Sequence, residues 1–245
     1  MAIDFAGGMC YTALTFLRDN RRMKEPGSRV DGRHRKELLR FLLVKTAAVR
    51  RGVKPGELLR VRHCYSGMNV EGRRVCLYRS DIYGILGLDH VELKVEEASS
   101  LVLFYNPSAL EATLAEPRNA RWLARMGYPA ADAARMPRPR KDVASPSDAM
   151  VHAMLAHLVR RAATCDLPHE VGVFIGYPLK DVAGFMRRIP ATPVHHGAWR
   201  VYGSAAESLA RMRLYARAEA DACEAFRRAR GVDDFIDMIS LDKAS

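Results

Sequence analysis

The stretch HEVGVFIGYPLKDVAGF, residues 169–185, decides how the C-terminal half of the chain is read. Its segment EVGVFI (170–175) is almost continuously apolar, as expected of a strand buried on both faces. Gly176, Tyr177 and Pro178 interrupt that run, and Leu179, Val182, Ala183 and Met186 then recur at helical spacing. Asp181 falls in the first turn of this helix and Arg187–Arg188 in the last, which suits the helix dipole. A second apolar run, AWRVY (198–202), ends at Gly203. Ser204 and Glu207 then form a Ser-x-x-Glu capping box at the head of a long helix striped by Leu209, Met212, Tyr215, Cys223 and Phe226. Strand, helix and strand in succession predict a C-terminal βαβ crossover.

Working outward, apolar periodicity predicts a helix over 33–51 that ends at Gly52 and Pro55. Alternation predicts strands at 73–79, 90–96 and 100–106, the last two forming a hairpin across Glu97-Ala98-Ser99. Asn106-Pro107 reads as a helix start, with Asn as the cap and Pro in the first turn. Helices over 107–115 and 117–126 follow, closing at Gly127-Tyr128-Pro129. From Ser147 a further helix carries Met150, Val151, Met154, Leu155, Leu158, Val159 and Ala162 on one stripe. His152 and His157 sit about 140° apart around that helix. They cannot hold one ion together and read as interfacial side chains.

The expected fold class is α/β, with α+β as the alternative: a mixed sheet of about five strands, a C-terminal βαβ unit and a long C-terminal helix. The expected organisation is a basic, partly flexible arm at 1–32 and a single compact domain at 33–245, with a basic Pro-rich internal connection at 130–147. Residues 18–40 alone hold nine Arg or Lys against four acids, and the whole chain has a formal charge of +11. That excess favours an anionic small molecule, nucleic acid or an acidic protein as partner. The five cysteines include no CxxC pair, which argues against a disulfide framework or zinc ribbon and for a reducing cytoplasm. No stretch reaches the roughly 18 apolar residues of a membrane span, and the N-terminal charge order is not that of a signal peptide.

If the two C-terminal strands were parallel neighbours, both would turn through glycine into a helix on one edge. Gly176, Tyr177, Lys180, Gly203 and Ser204 would then form a ligand-binding rim, with N–H groups at the helix starts receiving an anion. The architectural alternative is that Gly-Tyr-Pro makes a good turn with Tyr177 packed as a lid. The opposite edge would gather His169, His195 and His196, with Glu170, as a set able to bind iron, zinc or haem. His63-Cys64 directly follows Arg60 and Arg62, and nearby arginines lower a thiol pKa, so Cys64 is a candidate reactive thiol. No paired-carboxylate, GxSxG, P-loop or GxGxxG pattern names a reaction, and whether the chain is an enzyme is left open.

The stretches VLFYNPSALEATLAEPRNARWLARMGYP (102–129), LPHEVGVFIGYPLKDVAGF (167–185) and AWRVYG (198–203), with the tail VDDFIDMI, resemble an uncharacterised bacterial family found mainly in anaerobes and catalogued as a domain of unknown function. The resemblance implies no established activity. Relatives among redox and iron-handling proteins suggest a redox-associated accessory role, with flavin, haem or iron as the cofactors to test. The functional expectation is a cytoplasmic small-ligand-binding or redox-accessory protein. The alternatives are a nucleic-acid-binding module using the basic N-terminal arm, and a docking partner of a redox protein.

Overall fold

The computed structural model describes residues 28–63, 67–68, 74–75, 79–129, 146–187, 192–231, 234–236 and 238. Residues 1–27, Cys64 and most of the Pro-rich connection lie outside the described residues. Three strands make the centre: β1 (Gly56–Arg62), β4 (Asp89–Val95) and β5 (Ser99–Tyr105), in the order β1-β5-β4 and antiparallel throughout. The expected hairpin is β4–β5. Two small pairs, β2 (Gly67–Met68) with β3 (Arg74–Val75) and β6 (His195–His196) with β7 (Arg200–Val201), are also antiparallel. The chain is therefore a mixed helix–strand protein with small antiparallel sheets, and the single sheet of about five strands is corrected.

Strand β5 is apolar on both faces because it is covered on both. Val102 and Phe104 pack with Leu59 and Val61 of β1 against the helices α1 (Ser28–Lys45), α2 (Ala47–Arg50) and α3 (Arg79–Leu86). Leu103 and Tyr105 face the other way, into a core built by α4 (Pro107–Ala115), α5 (Pro117–Arg125), α6 (Pro146–Ala162) and α7 (Val171–Phe174). Each large side chain so buried contributes about 1.5–3 kcal/mol relative to an exposed one. The long helix α9 (Ala206–Arg228) lies against α1 and α2, where Lys45 pairs with Glu219 and Arg51 with Asp221 at 2.7 Å.

The local signals that held are those with a bonding partner nearby. Asn106 Oδ1 accepts the Ala109 N–H at 3.0 Å and Pro107 opens α4. The Met150–Ala162 stripe of α6 is buried as its spacing predicts, with Val159 partly so. The first helix starts at Ser28, earlier than the spacing suggests; of the strand expected at 73–79, Arg74–Val75 is strand, Arg79 already begins α3, and the positions between lie outside the described residues.

The segment 170–175 is not a strand. Val171–Phe174 is one helical turn whose end closes by two bonds: the Gly176 N–H donates to the Val173 carbonyl at 3.1 Å, and the Tyr177 N–H donates to the Gly172 carbonyl at 2.8 Å. This pairing, with Gly176 at φ +83, is the Schellman helix end. A buried helical turn and a buried strand of this length show the same unbroken apolar pattern, so periodicity could not separate them. Pro178 then leads into α8 (Leu179–Phe185). With a helix at 171–174, and with β7 paired antiparallel to β6, there is no βαβ crossover.

Gly127-Tyr128-Pro129 is the same device. The Gly127 N–H donates to Ala124 O at 3.0 Å, the Tyr128 N–H donates to Leu123 O at 3.1 Å, and φ at Gly127 is +87. Each Gly-Tyr-Pro therefore ends a helix and turns a tyrosine back toward the core; Tyr128 is only 3% exposed. The capping box expected at Ser204 does not form. The cap residue is Ala205, with no side-chain bond, and Glu207 instead pairs with Arg211 at 2.9 Å.

Candidate functional site

The residues expected to line a rim are found in two roles. Around Gly176, the carbonyl oxygen accepts from Arg211 Nη1 at 3.0 Å and from the Tyr215 hydroxyl at 3.1 Å, which ties the end of α7 to α9. Tyr177 stacks on Trp199 with ring centroids 4.3 Å apart and planes 22° apart. Burial, then the nearby Glu57 and Tyr215, push its hydroxyl pKa far up. Gly203, at φ +69, and Ser204 are exposed where the chain leaves β7 for α9. Since the parallel strand pair is absent, the shared edge that was to bring these two junctions together is absent with it.

Lys180 belongs to a network centred on Asp181, a carboxylate 2% exposed. Oδ1 accepts from Lys180 Nζ at 2.7 Å and from the Tyr202 N–H at 2.8 Å. Oδ2 accepts from the Ser208 hydroxyl at 2.6 Å and from Trp199 Nε1 at 2.9 Å. Lys180 also donates to Ser208 Oγ at 2.7 Å and to the Tyr202 carbonyl at 3.1 Å. Burial alone would raise the Asp181 pKa, but the four donations outweigh it and hold the carboxyl below the usual range. One side chain thus joins α8, the β6–β7 pair and the start of α9.

The histidines are placed apart in kind. His195 and His196 are exposed on β6, whereas His169 is half-buried with its ring edge-on to Phe185 at 5.0 Å. The metal reading required two parallel strand starts side by side, and that arrangement is absent. Among the described residues there is no group of three or more His, Cys, Asp or Glu side chains placed to hold a metal ion.

A different cluster lies beside the α6 stripe. Glu170, the residue just before α7, is fully buried. Its Oε1 accepts from Arg161 Nε at 2.7 Å and from the Tyr128 hydroxyl at 3.2 Å. The Tyr128 ring also meets the His157 ring, with centroids 4.3 Å apart. Local structure explains the convergence: the Gly127 turn delivers Tyr128, and His157, Arg160 and Arg161 share a face of α6 at i, i+3 and i+4. Among the described residues, two buried atoms here have no hydrogen-bond partner, Glu170 Oε2 and His157 Nε2.

The electrostatics assign the protons. Burial, then the charge and hydrogen bond of Glu170, raise the Tyr128 pKa strongly, so its hydroxyl stays protonated and donates. Burial, then Arg160 and Arg161, lower the His157 pKa against the opposing pull of Glu170. His157 is therefore neutral near pH 7. Arg160 Nη2 lies 3.5 Å from His157 Nδ1 and can only donate, which makes Nδ1 the acceptor and leaves the ring proton on Nε2. The cluster thus holds one unused acceptor, a carboxylate oxygen, and one unused donor, an imidazole N–H. Sequence reasoning placed Glu170 only as an accessory to the histidine set, set His157 aside as interfacial, and did not single out Tyr128 or Arg161. The available signal was a lone acid at the head of an apolar run.

The fold and the cluster define a mixed helix–strand protein with a partly buried polar group set around Glu170. The chain belongs to the family described as protein of unknown function DUF3793, whose model matches residues 42–236 and so spans all four cluster residues. A search of the curated proteins and a search of the solved structures each found no match. Among the described residues no helix is long and apolar enough to cross a membrane.

Proposed function

We propose that this chain is a small-ligand-binding accessory protein of the cytoplasm whose ligand sits at Tyr128, His157, Arg161 and Glu170. The observation that carries the reading is the pair of complementary, unpartnered polar atoms in one buried cluster, Glu170 Oε2 and His157 Nε2. Each buried polar group left unsatisfied costs about 1–3 kcal/mol, and such groups are uncommon in folded proteins unless something uses them. A ligand offering one donor and one acceptor removes both costs. Arg161 is the surface member of the cluster, its side chain 41% exposed while the carboxylate it holds is buried. The cytoplasmic placement rests on the five cysteines and their spacing.

Dialysed protein analysed by native mass spectrometry and thermal melting tests this. The expected outcome is a retained small mass, or a rise in melting temperature with at least one member of a panel of small acids, flavin, haem and iron. The rise should vanish in Glu170→Gln. No retained mass and no shift with any member would remove the reading.

A further inference from the structure

We infer that the ligand of this site is a small carboxylate that carries its own hydrogen-bond donor beside the acid group, a hydroxy acid or an amino acid. The inference rests on the ligand-binding reading above and specifies the chemistry that the cluster selects. Three demands converge. Arg161 uses only Nε on Glu170, and among the described residues its two terminal nitrogens have no hydrogen-bond partner. A guanidinium edge of that kind matches the two oxygens of a carboxylate. The His157 Nε2–H needs an acceptor, which the same carboxylate supplies. Glu170 Oε2 needs a donor, which a bare carboxylate cannot supply and a hydroxyl or ammonium can.

Charge points the same way. Glu170 is negative, Arg161 and Arg160 are positive, and His157 and Tyr128 are neutral, so the set carries one surplus positive charge. Two further ionisable neighbours leave that count unchanged: Cys165, an exposed thiol donating to the Arg161 carbonyl at 3.3 Å, and His169, whose pKa burial lowers against the opposing pull of Glu170. An anion balances the surplus. An anion lacking a donor would bring its oxygens toward Glu170 Oε2 with nothing between them, so the lone carboxylate oxygen acts as the selecting element.

The experiment titrates the full chain with four probes, glycolate, glycine, acetate and methylamine, and follows the Tyr128 and His157 resonances by NMR. Glycolate or glycine is expected to bind at least about tenfold tighter than acetate, the worth of one charge-assisted hydrogen bond. In Glu170→Gln that discrimination should shrink to near twofold, and Arg161→Gln should weaken both acids together. Wild-type titration alone decides the matter if a variant fails to fold. Equal binding of acetate and glycolate, or binding of methylamine alone, would overturn the inference while leaving a ligand site in place. If no probe and no retained mass perturbs these resonances, and an ordered water alone joins the two atoms, the site and the inference fall together.

Discussion

Asp181→Ala is expected to destabilise the protein by about 3–5 kcal/mol, the range found when one partner of a buried charged pair is removed. Four donors lose their acceptor at once, and they are not equally able to recover. Lys180, with its side chain 31% exposed, can turn to water. The Ser208 hydroxyl and the Tyr202 N–H are buried and cannot. Chemical denaturation of the two proteins at pH 7 gives the difference, and a loss below about 1 kcal/mol would mean the network is ornamental to stability. Asp181→Asn should cost less because the shape and one acceptor oxygen survive. The same network has an acid signature. Its carboxyl is held below the usual range, so its contribution is present above about pH 4 and fades as pH falls toward the depressed value, where the unfolded chain takes up the proton first.

Gly176→Ala is the second large effect, expected at about 3 kcal/mol. An L-residue at φ +83 costs about 1–2 kcal/mol of backbone energy. The added Cβ would also lie 2.6 Å from Pro55 Cδ and 2.7 Å from the Tyr215 hydroxyl oxygen, a forced displacement worth about 1–3 kcal/mol. Gly127→Ala is the internal control. It has nearly the same φ, but the nearest atom to its Cβ is on His157 at 3.8 Å. It should lose only the backbone part, about 1 kcal/mol. Thermal or denaturant melts of both variants separate conformation from clash, and equal losses would show that Pro55 and Tyr215 yield freely.

This comparison also marks where the sequence was readable. Gly-Tyr-Pro occurs twice, and at 127–129 it follows a run with clear helical spacing, so it reads correctly as a helix end. At 176–178 the preceding run is too short to show a period, and its valines and isoleucine tilt the reading toward a strand. The tripeptide itself carried the information in both places, since glycine just past a helix with proline close behind is a stop signal. The β4–β5 hairpin, the Asn106 cap and the α6 stripe were legible because each depends on residues a few positions apart. The Glu170 cluster was not, because Tyr128, Arg161 and Glu170 meet only through the tertiary packing of α5, α6 and α7. No local pattern records that Arg161 points at residue 170 and not at water.

Strand β5 gives alternate side chains to two separate cores, and this ties their fates together. Stripping the helices from either side would leave the other half of the same strand bonded to β1 and β4 but wet on one face. The two layers should therefore melt as one cooperative unit, and the amide protons of Val102 to Phe104 should exchange with solvent only through global opening. Deuterium uptake there at the pace of the chain's frayed helix ends would show instead that one layer can peel away alone.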